Sequence, residues 1–249
     1  MFEKVDILIK KLRYPINFEN KDIANMECQY VYRRAKYLIL ELEKRYLVIH
    51  LGMSGSLRIQ SGNLKKKKHD HVIFHLSPNT RLIYHDPRRF GFIQLFPHPI
   101  LNLKPILHLG PEPQSDLFND SYLYNMISRS ERMIKVLIMD QKIVVGVGNI
   151  YATEALFLAK IHPSRKGSSL SIKEIQALVA NIKNVLFEAI KQGGTTLRDF
   201  VSGSGKIGYF QQHLYVYGRE NKPCVHCGNK IQKIIIGQRA STYCQFCQS

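Results

Sequence analysis

Four cysteines near the end of the sequence have the residue type and the spacing of a metal site. Cys224 and Cys227 form one CxxC pair, Cys244 and Cys247 form a second, and sixteen residues separate the two pairs. Each pair is a tight turn that presents two thiolates, and four thiolates supply the tetrahedral sulfur shell that Zn²⁺ favours. The sequence therefore predicts a zinc ribbon that holds one structural Zn²⁺.

The alternative chemistry for these cysteines is a pair of disulfides. Disulfides persist in oxidising compartments, and we expect no secretory segment ahead of the cysteines. The chain has five cysteines, so that Cys28 would be left over. We expect Cys28 to be an ordinary buried thiol and the other four to bind metal.

The residues between the two pairs would form a hairpin that the metal holds rigid. This segment is basic and polar, with Lys230, Lys233, Gln238 and Arg239. A rigid basic hairpin is suited to probing a nucleic acid. The alternative is a ribbon that only staples the end of the chain to the rest of the protein.

The charge of the whole chain favours the nucleic-acid interpretation. Lys and Arg number 36 against 19 Asp and Glu, which gives a formal net charge of +17. Such an excess indicates a polyanionic partner, and nucleic acid is the commonest one for a protein of this size. Because no apolar run approaches the length needed to span a membrane, we expect a soluble intracellular protein that works without a membrane partner.

The elements that must position these side chains change character near residues 97–113. Before that point, short runs rich in Val, Ile, Tyr and Leu recur between turn residues, which predicts a β-sandwich. These runs are 5–9, 29–33, 37–41, 47–51, 71–76, 82–85 and 92–96.

Helical periodicity dominates after that point. Ser171 and Glu174 predict a capping box, and Gly193 predicts the end of the same helix. Its apolar face is predicted to comprise Ile172, Ile175, Leu178, Val179, Ile182, Val185, Leu186 and Ile190. The Gly-, Ser- and Thr-rich residues 193–208 that follow are either a linker or a functional loop.

Eight short motifs occur in one order along the chain and carry a family resemblance. They are RRAKYL at 33–38, HLGMSG at 50–55, KHDH at 68–71, DPRRFG at 86–91, LGPEP at 109–113, GVGNIY at 146–151, GGTT at 193–196 and QRA at 238–240. Together with the closing cysteines they closely resemble the bacterial formamidopyrimidine-DNA glycosylases. The resemblance runs from about Val5 to the last residue.

The resemblance implies an α+β, multidomain architecture. A β-sandwich domain of catalytic type would occupy residues 1–108. A helical domain with a helix-two-turns-helix element and a lesion-recognition loop would occupy residues 112–210. A zinc finger would occupy residues 213–249. Asn149 would then be the N-cap of a helix in the helical domain, where its amide meets a phosphate that flanks the lesion.

The implied activity is DNA base-excision repair. Members of the family remove oxidised purines, 8-oxoguanine and formamidopyrimidines, from duplex DNA, and cleave the abasic site through a Schiff base and β,δ-elimination. The resemblance assigns Lys36 and Arg239 to catalysis. The residues that it assigns to DNA binding are His69, Arg88, Asn149, Met53, Phe90 and Arg129.

Those DNA-binding residues would have different tasks. Met53 and Phe90 would fill the gap left by the flipped nucleotide, and Arg88 would face the orphaned base with its fork of donors. At a position where the family often has a basic phosphate contact, this chain has Ser130, and the neighbouring Arg129 and Arg132 are the possible substitutes. A methionine or phenylalanine considered alone, such as Met53 or Phe90, is more often a core residue. Only the co-occurrence of the other motifs favours the interpretation that these two side chains are wedges.

The beginning of the sequence departs from the family. Members begin with a proline, whose secondary amine is the nucleophile, followed by a glutamate that acts as acid and base. This sequence begins Met1, Phe2, Glu3. We therefore expect that the catalytic front is missing and that these 249 residues are inactive or severely impaired in excision. The alternatives are a non-catalytic protein that binds lesions or abasic sites, and an unrelated zinc-ribbon protein that binds nucleic acid.

The expected partner is double-stranded DNA that contains oxidised purines or abasic sites. We expect a monomer that acts in the bacterial cytoplasm, at the nucleoid.

Overall fold

The computed structural model describes residues 1–63, 65–76, 79–99, 103, 105–193 and 214–249. These residues fall into two compact units, one up to Leu107 and the other from His108 onward. Within the described ranges, no helix is both long enough and apolar enough to cross a membrane.

The described part of the first unit contains eight strands in two antiparallel sheets of four. The strands are β1 (Phe2–Ile7), β2 (Cys28–Arg34), β3 (Tyr37–Leu42), β4 (Arg45–His50), β5 (Ser56–Ser61), β6 (Asp70–Leu76), β7 (Thr80–His85) and β8 (Phe92–Pro97). One sheet has the order β1-β6-β7-β5, and the other has the order β2-β3-β4-β8.

The core of this unit lies between the two sheets. Phe2 on β1 and Phe74 on β6 belong to the same buried cluster as Leu47 on β4 and Ile93 on β8. Since each sheet turns one apolar face toward the other, the predicted β-sandwich is confirmed. Leu103 belongs to a smaller buried cluster with β3, β4 and β8 residues such as Ile39.

Strand β5 was not predicted from the apolar runs. It alternates polar and apolar residues, and its Ile59 is 67% exposed. An edge strand with little apolar surface to bury gives only a weak sequence signal. Cys28 is also less enclosed than expected, because it lies half-buried at the start of the edge strand β2.

The second unit contains four α-helices among its described residues. They are α1 (Asp120–Ile127), α2 (Ile134–Ile138), α3 (Asn149–Leu158) and α4 (Ile172–Lys191). The capping box that precedes α4 is confirmed, because Ser171 Oγ accepts from the Glu174 amide and a Glu174 carboxylate oxygen accepts from the Ser171 amide. Six of the eight predicted core residues of α4 are buried in the helical core.

Ile172 and Ile190 are the two exceptions on α4. They are 60% and 70% exposed, so their assignment to the buried face is wrong. The two residues share the sequence periodicity but lie in the first and last turns of the helix. Burial there depends on whether a neighbouring element reaches that far, which periodicity does not encode.

A buried carboxylate joins α3 to the chain that follows residue 213. Glu154 is 1% exposed, and its oxygens accept hydrogen bonds from the backbone amides of Tyr215, Val216 and Tyr217 at 2.8–3.0 Å. Burial raises the pKa of Glu154, although the three amides act in the opposite direction. Three donors to one carboxylate fix the start of the ribbon on the helix.

The ribbon itself is a two-stranded hairpin that packs on the same helix. Strands β9 (Gln232–Ile236) and β10 (Arg239–Tyr243) are antiparallel and are joined by Gly237 and Gln238, which both have positive φ. Two positive φ angles in a two-residue loop are those of a type I′ turn. Phe157 of α3 packs in one buried cluster with cysteines of the ribbon, so the ribbon and the helices form one unit.

Candidate nucleic-acid interface

The four cysteines of the ribbon converge on a single point. Their sulfur atoms all lie within 4.8 Å of one another, with 3.9 Å between Cys224 and Cys247 and 3.4 Å between Cys227 and Cys244. A tetrahedron with zinc–sulfur bonds of ~2.3 Å has sulfur–sulfur separations of about 3.8 Å. The geometry therefore fits one Zn²⁺, and the two-disulfide alternative is wrong, because the cysteines are unbridged.

The pKa values of the cysteine thiols differ within this cluster. Hydrogen bonds from the side chain and backbone of Asn229 lower the pKa of Cys227 to about 6. By contrast, burial and the neighbouring sulfur atoms raise the pKa of Cys247 to about 12. Four adjacent thiolates repel one another, and a bound cation is what would stabilise all of them in the ionised form.

Two residues of the helical domain donate hydrogen bonds to the strand that follows the tip of the ribbon hairpin. The Lys135 ammonium donates to Ser241 Oγ at 2.6 Å and to the Ala240 carbonyl at 3.3 Å. Asn149 Nδ2 donates to the same carbonyl at 3.0 Å. Arg239 is exposed beside this anchored carbonyl, at the first position after the turn.

Lys135 is an unusual lysine because it is only 1% exposed. Burial, assisted by the positive charge of Arg239, lowers its pKa to about 8. It lines a cleft of about 230 Å³ between α2 and the hairpin. The lining residues are Arg132, Lys135, Val136, Met139, Asp140, Ile236, Gly237 and Arg239.

The prediction that Asn149 is a helix N-cap is wrong. Gly148 occupies the N-cap position with extended backbone angles, and Asn149 is the first residue of α3. The Asn149 side chain is engaged by the ribbon instead, through Ala240. Its amide nitrogen has two protons, and the bond to the ribbon uses one of them.

The two arginines that follow α1 differ in their surroundings. Arg129 is exposed in the turn after the helix. Arg132 donates two hydrogen bonds to one carboxylate oxygen of Asp140, each at 3.1 Å. Both arginines are exposed, and the guanidinium of Arg132 is engaged by a carboxylate of its own chain.

In the first unit, two loops meet around a buried carboxylate. Asp86 is fully buried, and one of its oxygens accepts a hydrogen bond from Ser54 Oγ at 2.9 Å. The other oxygen accepts from the Gly91 amide at 2.9 Å and from the Tyr84 hydroxyl at 3.4 Å. We call residues 51–55 the first wedge loop and residues 86–91 the second wedge loop.

The backbones of the two wedge loops are in direct contact. A Cβ atom on Gly52 would lie 2.5 Å from the Gly91 nitrogen, and one on Gly91 would lie 2.0 Å from the Tyr84 hydroxyl. Gly52 also has a φ of +66°, a region that L side chains rarely adopt. Both glycines are therefore required by the approach of the loops.

The tips of the wedge loops carry the residues that the resemblance assigned to the lesion gap. Met53 is 59% exposed and Phe90 is 46% exposed, so the alternative that they are core residues is wrong. The Arg88 guanidinium lies 4.8 Å from the centre of the Phe90 ring, in a cation–π contact. The structure therefore brings Arg88 and Phe90 together on one loop, next to the loop that carries Met53.

His69 lies in the turn that leads into β6. Asp70 stabilises this turn, since its carboxylate accepts from the Lys67 amide at 2.8 Å and forms an ion pair with Arg58. Burial alone would raise the pKa of Asp70, but the hydrogen bonds from Arg58, Lys67 and His85 hold it below its ordinary value. His69 is half-buried, and the centre of its ring lies 5.9 Å from that of His85.

Lys36 is exposed at the tight connection between β2 and β3. Its charge acts on His50, which sequence reasoning did not select although it begins the HLGMSG motif. Burial, followed by the charges of Lys36 and Arg13, lowers the pKa of His50 to about 4. His50 is thus a neutral imidazole at pH 7, and its Nδ1 accepts from the Gly52 amide at 3.0 Å.

Comparison with known families decides the relationship. The family model of the formamidopyrimidine-DNA glycosylase N-terminal domain matches residues 1–93, and that of the H2TH domain of the same glycosylases matches residues 109–201. A third model, a zinc finger found in FPG and IleRS, matches residues 221–249. This chain belongs to the formamidopyrimidine-DNA glycosylase family.

Individual relatives agree with this membership. The chain is 46% identical over 254 residues to the formamidopyrimidine-DNA glycosylase of Legionella pneumophila (strain Lens), covering 100% of this chain and 91% of that one. It is 50% identical over 238 residues to that of Salmonella paratyphi B, covering 96% and 88% respectively. The formamidopyrimidine-DNA glycosylase matches therefore extend over about nine-tenths of the relatives' length.

Solved structures of the family have the same fold. The Lactococcus lactis Fpg in complex with DNA containing an abasic site matches with a TM-score of 0.90 at 31% identity, covering 100% of this chain and 92% of that one. The wild-type Lactococcus lactis Fpg in complex with DNA containing N7-benzyl-Fapy-dG matches with the same score, identity and coverage.

Proposed function

We propose that this chain acts in DNA base-excision repair on oxidised purines, 8-oxoguanine and formamidopyrimidines, and on the abasic sites that their removal leaves. The observation that carries the proposal is the pair of wedge loops, with Met53 on one and Arg88 and Phe90 on the other, all exposed above a rigid support. Large apolar side chains exposed beside an arginine are suited to replacing a flipped nucleotide. The complexes of the Lactococcus lactis protein with damaged DNA support the choice of partner.

In this proposal each side chain has a distinct task. Met53 and Phe90 enter the stack, and Arg88 presents its donors to the orphaned base, for which the acceptor edge of cytosine is the best match. The ring of Phe90 beneath its guanidinium limits the orientations open to Arg88. Phosphates on either side of the lesion are bound by basic and amide side chains, namely Lys36, His69, Arg129, Asn149 and Arg239.

Excision of a damaged base requires catalytic groups in addition to the side chains that bind DNA. A secondary amine must attack C1′ of the sugar, displace the damaged base and form a Schiff base, from which β- and δ-elimination cleave the strand. The family assigns roles in these later steps to Lys36 and Arg239. We propose that a polypeptide of these 249 residues binds lesions but is severely impaired in excision, because each of its prolines is amide-linked and offers no free secondary amine. The second candidate function is lesion binding without any catalysis. Because the relatives are bacterial, we also propose that the protein acts on nucleoid DNA, and we propose that it does so as a monomer.

Binding is tested with two duplexes that differ at one position. The 249-residue chain should bind a duplex with a tetrahydrofuran abasic analogue opposite cytosine more tightly than the intact duplex, and both affinities should fall several-fold with a moderate increase in salt, by roughly one power of the salt concentration for each phosphate contact. Lys36→Ala should weaken binding, whereas Lys21→Ala, an exposed lysine beside Glu19, should not. Equal affinity for both duplexes at every salt concentration would overturn the proposal.

Catalysis is tested by trapping with borohydride, which reduces a Schiff base to a stable adduct. The 249-residue chain should give no adduct on 8-oxoguanine DNA and only a faint one on abasic DNA, through the Met1 amine or Lys36. A version that begins with a Pro-Glu segment of family type should excise 8-oxoguanine. Strong trapping of the 249-residue chain on 8-oxoguanine DNA would contradict this account, and an inactive extended version would favour the non-catalytic function.

A further inference from the structure

Asp86 forms hydrogen bonds with residues that are distant in the sequence. Its carboxylate oxygens bind Ser54 of the first wedge loop and Gly91 of its own loop. Its backbone amide donates to the His69 carbonyl at 3.1 Å, and His71 Nε2 donates to its carbonyl oxygen at 2.9 Å. One fully buried residue therefore contacts three segments that carry proposed DNA-binding side chains.

We propose that Asp86 is a positioning residue that couples the two wedge loops, so that Met53 enters the lesion together with Arg88 and Phe90. The inference rests on the proposed function, since it assumes that these tips meet DNA. Asp86 itself contacts neither base nor phosphate in this proposal. It acts only through the two wedge loops that it joins.

The division of labour between the two oxygens supports the coupling. Oδ1 binds the first wedge loop through Ser54, while Oδ2 binds the second through Gly91. A short carboxylate can accept from two separate donors at once, and in a buried site each of those donors would otherwise be left unsatisfied. Loss of Asp86 therefore releases both loops, whereas loss of the Ser54 hydroxyl releases only the first.

Tyr84 keeps this hydrogen-bond network in one protonation state. Burial, together with the negative charge of Asp86, raises the pKa of the Tyr84 hydroxyl. Tyr84 therefore stays a donor, shared between Asp86 and the His50 carbonyl at 3.2 Å. The same hydroxyl fills the space that a Cβ on Gly91 would need, so that only glycine fits at this position of the second wedge loop.

A double-mutant cycle tests the coupling through lesion preference, the ratio of the Kd for intact duplex to that for abasic-analogue duplex. Asp86→Ala should lower this ratio by about tenfold and Ser54→Ala by about threefold, and the double variant should match Asp86→Ala alone, because coupled residues are not additive. The Kd for intact duplex should change by less than about threefold, since phosphate contacts remain. Asp6→Ala removes the same charge on β1 and should leave the ratio unchanged.

Amide hydrogen exchange measures the same coupling without DNA. Asp86→Ala should accelerate exchange at Gly91, and also at Gly55, whose amide donates to the Leu51 carbonyl at 2.8 Å within the first wedge loop. Ser54→Ala should accelerate exchange at Gly55 and leave Gly91 protected. If Asp86→Ala does not fold, Asp86→Asn takes its place, with smaller effects in the same directions, because the amide keeps only one acceptor oxygen and the bond to that oxygen loses its ionic character.

The two experiments distinguish failure of the coupling from failure of the proposed function. A chain without substitutions that binds both duplexes equally contradicts the proposed function, and the exchange pattern alone then decides the coupling. Normal protection at Gly55 in a folded Asp86 variant would overturn the coupling. So would a lesion preference to which Ser54→Ala and Asp86→Ala contribute independently.

Discussion

The buried Lys135 ammonium and Ser241 Oγ are 2.6 Å apart, although 106 residues separate them along the chain. This bond connects α2 to the strand that carries Arg239. Lys135 is therefore part of the support of the hairpin tip, and its protonation affects how firmly the tip is held.

Replacement of Lys135 should change how stability depends on pH. Folding lowers the pKa of Lys135 to about 8, so the unfolded chain binds more protons between pH 8 and the ordinary lysine pKa of 10.5. This residue should therefore make the second unit more stable as the pH rises through that window, by on the order of 1–3 kcal/mol. In Lys135→Met the increase should be absent, as measured by urea unfolding of both proteins from pH 7 to 10.5. Curves that stay parallel across the window would contradict the buried-lysine account.

The neutral state of His50 should depend on Lys36. In Lys36→Met the pKa of His50 should rise from about 4 but remain below 6.5, because burial, the larger cause, is unchanged. The shift is measured by NMR titration of the imidazole carbon-bound protons. Lys21→Met is the matched control and should leave His50 unaffected. An unchanged pKa in Lys36→Met would show that the lysine charge does not reach the ring.

Loss of the metal should weaken DNA binding while the sandwich stays folded. Cys244→Ser, or chelation, should release the Zn²⁺ and with it the hairpin that carries Arg239, and should lower DNA affinity at least tenfold because structural zinc contributes folding energy directly. Zinc content, DNA affinity and circular dichroism are measured together. Cys28→Ser, a cysteine outside the cluster, should keep one zinc per chain and full affinity. A chain purified under reducing conditions without stoichiometric zinc would contradict the site.

Substitution of Arg88 should affect discrimination more than affinity. Arg88→Ala removes the donors proposed to face the orphaned base, so the preference for cytosine over adenine opposite an abasic analogue should fall by about 1–3 kcal/mol. Arg89→Ala removes the same charge from the adjacent exposed residue and should weaken binding to both duplexes equally. Competition binding with the two opposite bases gives both quantities. Equal behaviour of the two variants would count against a base-reading role for Arg88.

The features that the sequence predicted correctly are those written in short segments. The CxxC pairs, the capping box at Ser171 and Glu174, and most strands depend on residues a few positions apart, where residue type and local geometry are tightly linked. The exposure of Met53 and Phe90 could be expected only from the family resemblance, because an isolated Met or Phe in a sequence is more often a core residue.

The features that it missed depend on contacts between distant segments. Asp86 and Ser54 are 32 residues apart, and Glu154 meets its partners across about 60 residues, so no local pattern marks these carboxylates as buried. The N-cap was misplaced for a similar reason, since Asn149 is drawn to Ala240 of the ribbon by tertiary structure. Buried polar networks of this kind become visible only when the fold brings the partners together.

The close approach of Gly52 and Gly91 separates what can vary in the wedge loops from what cannot. A single added methyl group at either glycine would collide with backbone or with Tyr84, whereas the side chains of Met53 and Phe90 are about half exposed. Met53 and Phe90 can therefore be replaced by other apolar side chains without a change in the backbone of the wedge loops. A library confined to positions 53 and 90 would therefore test the proposed lesion contact by varying the side chains while the loops that present them stay constant.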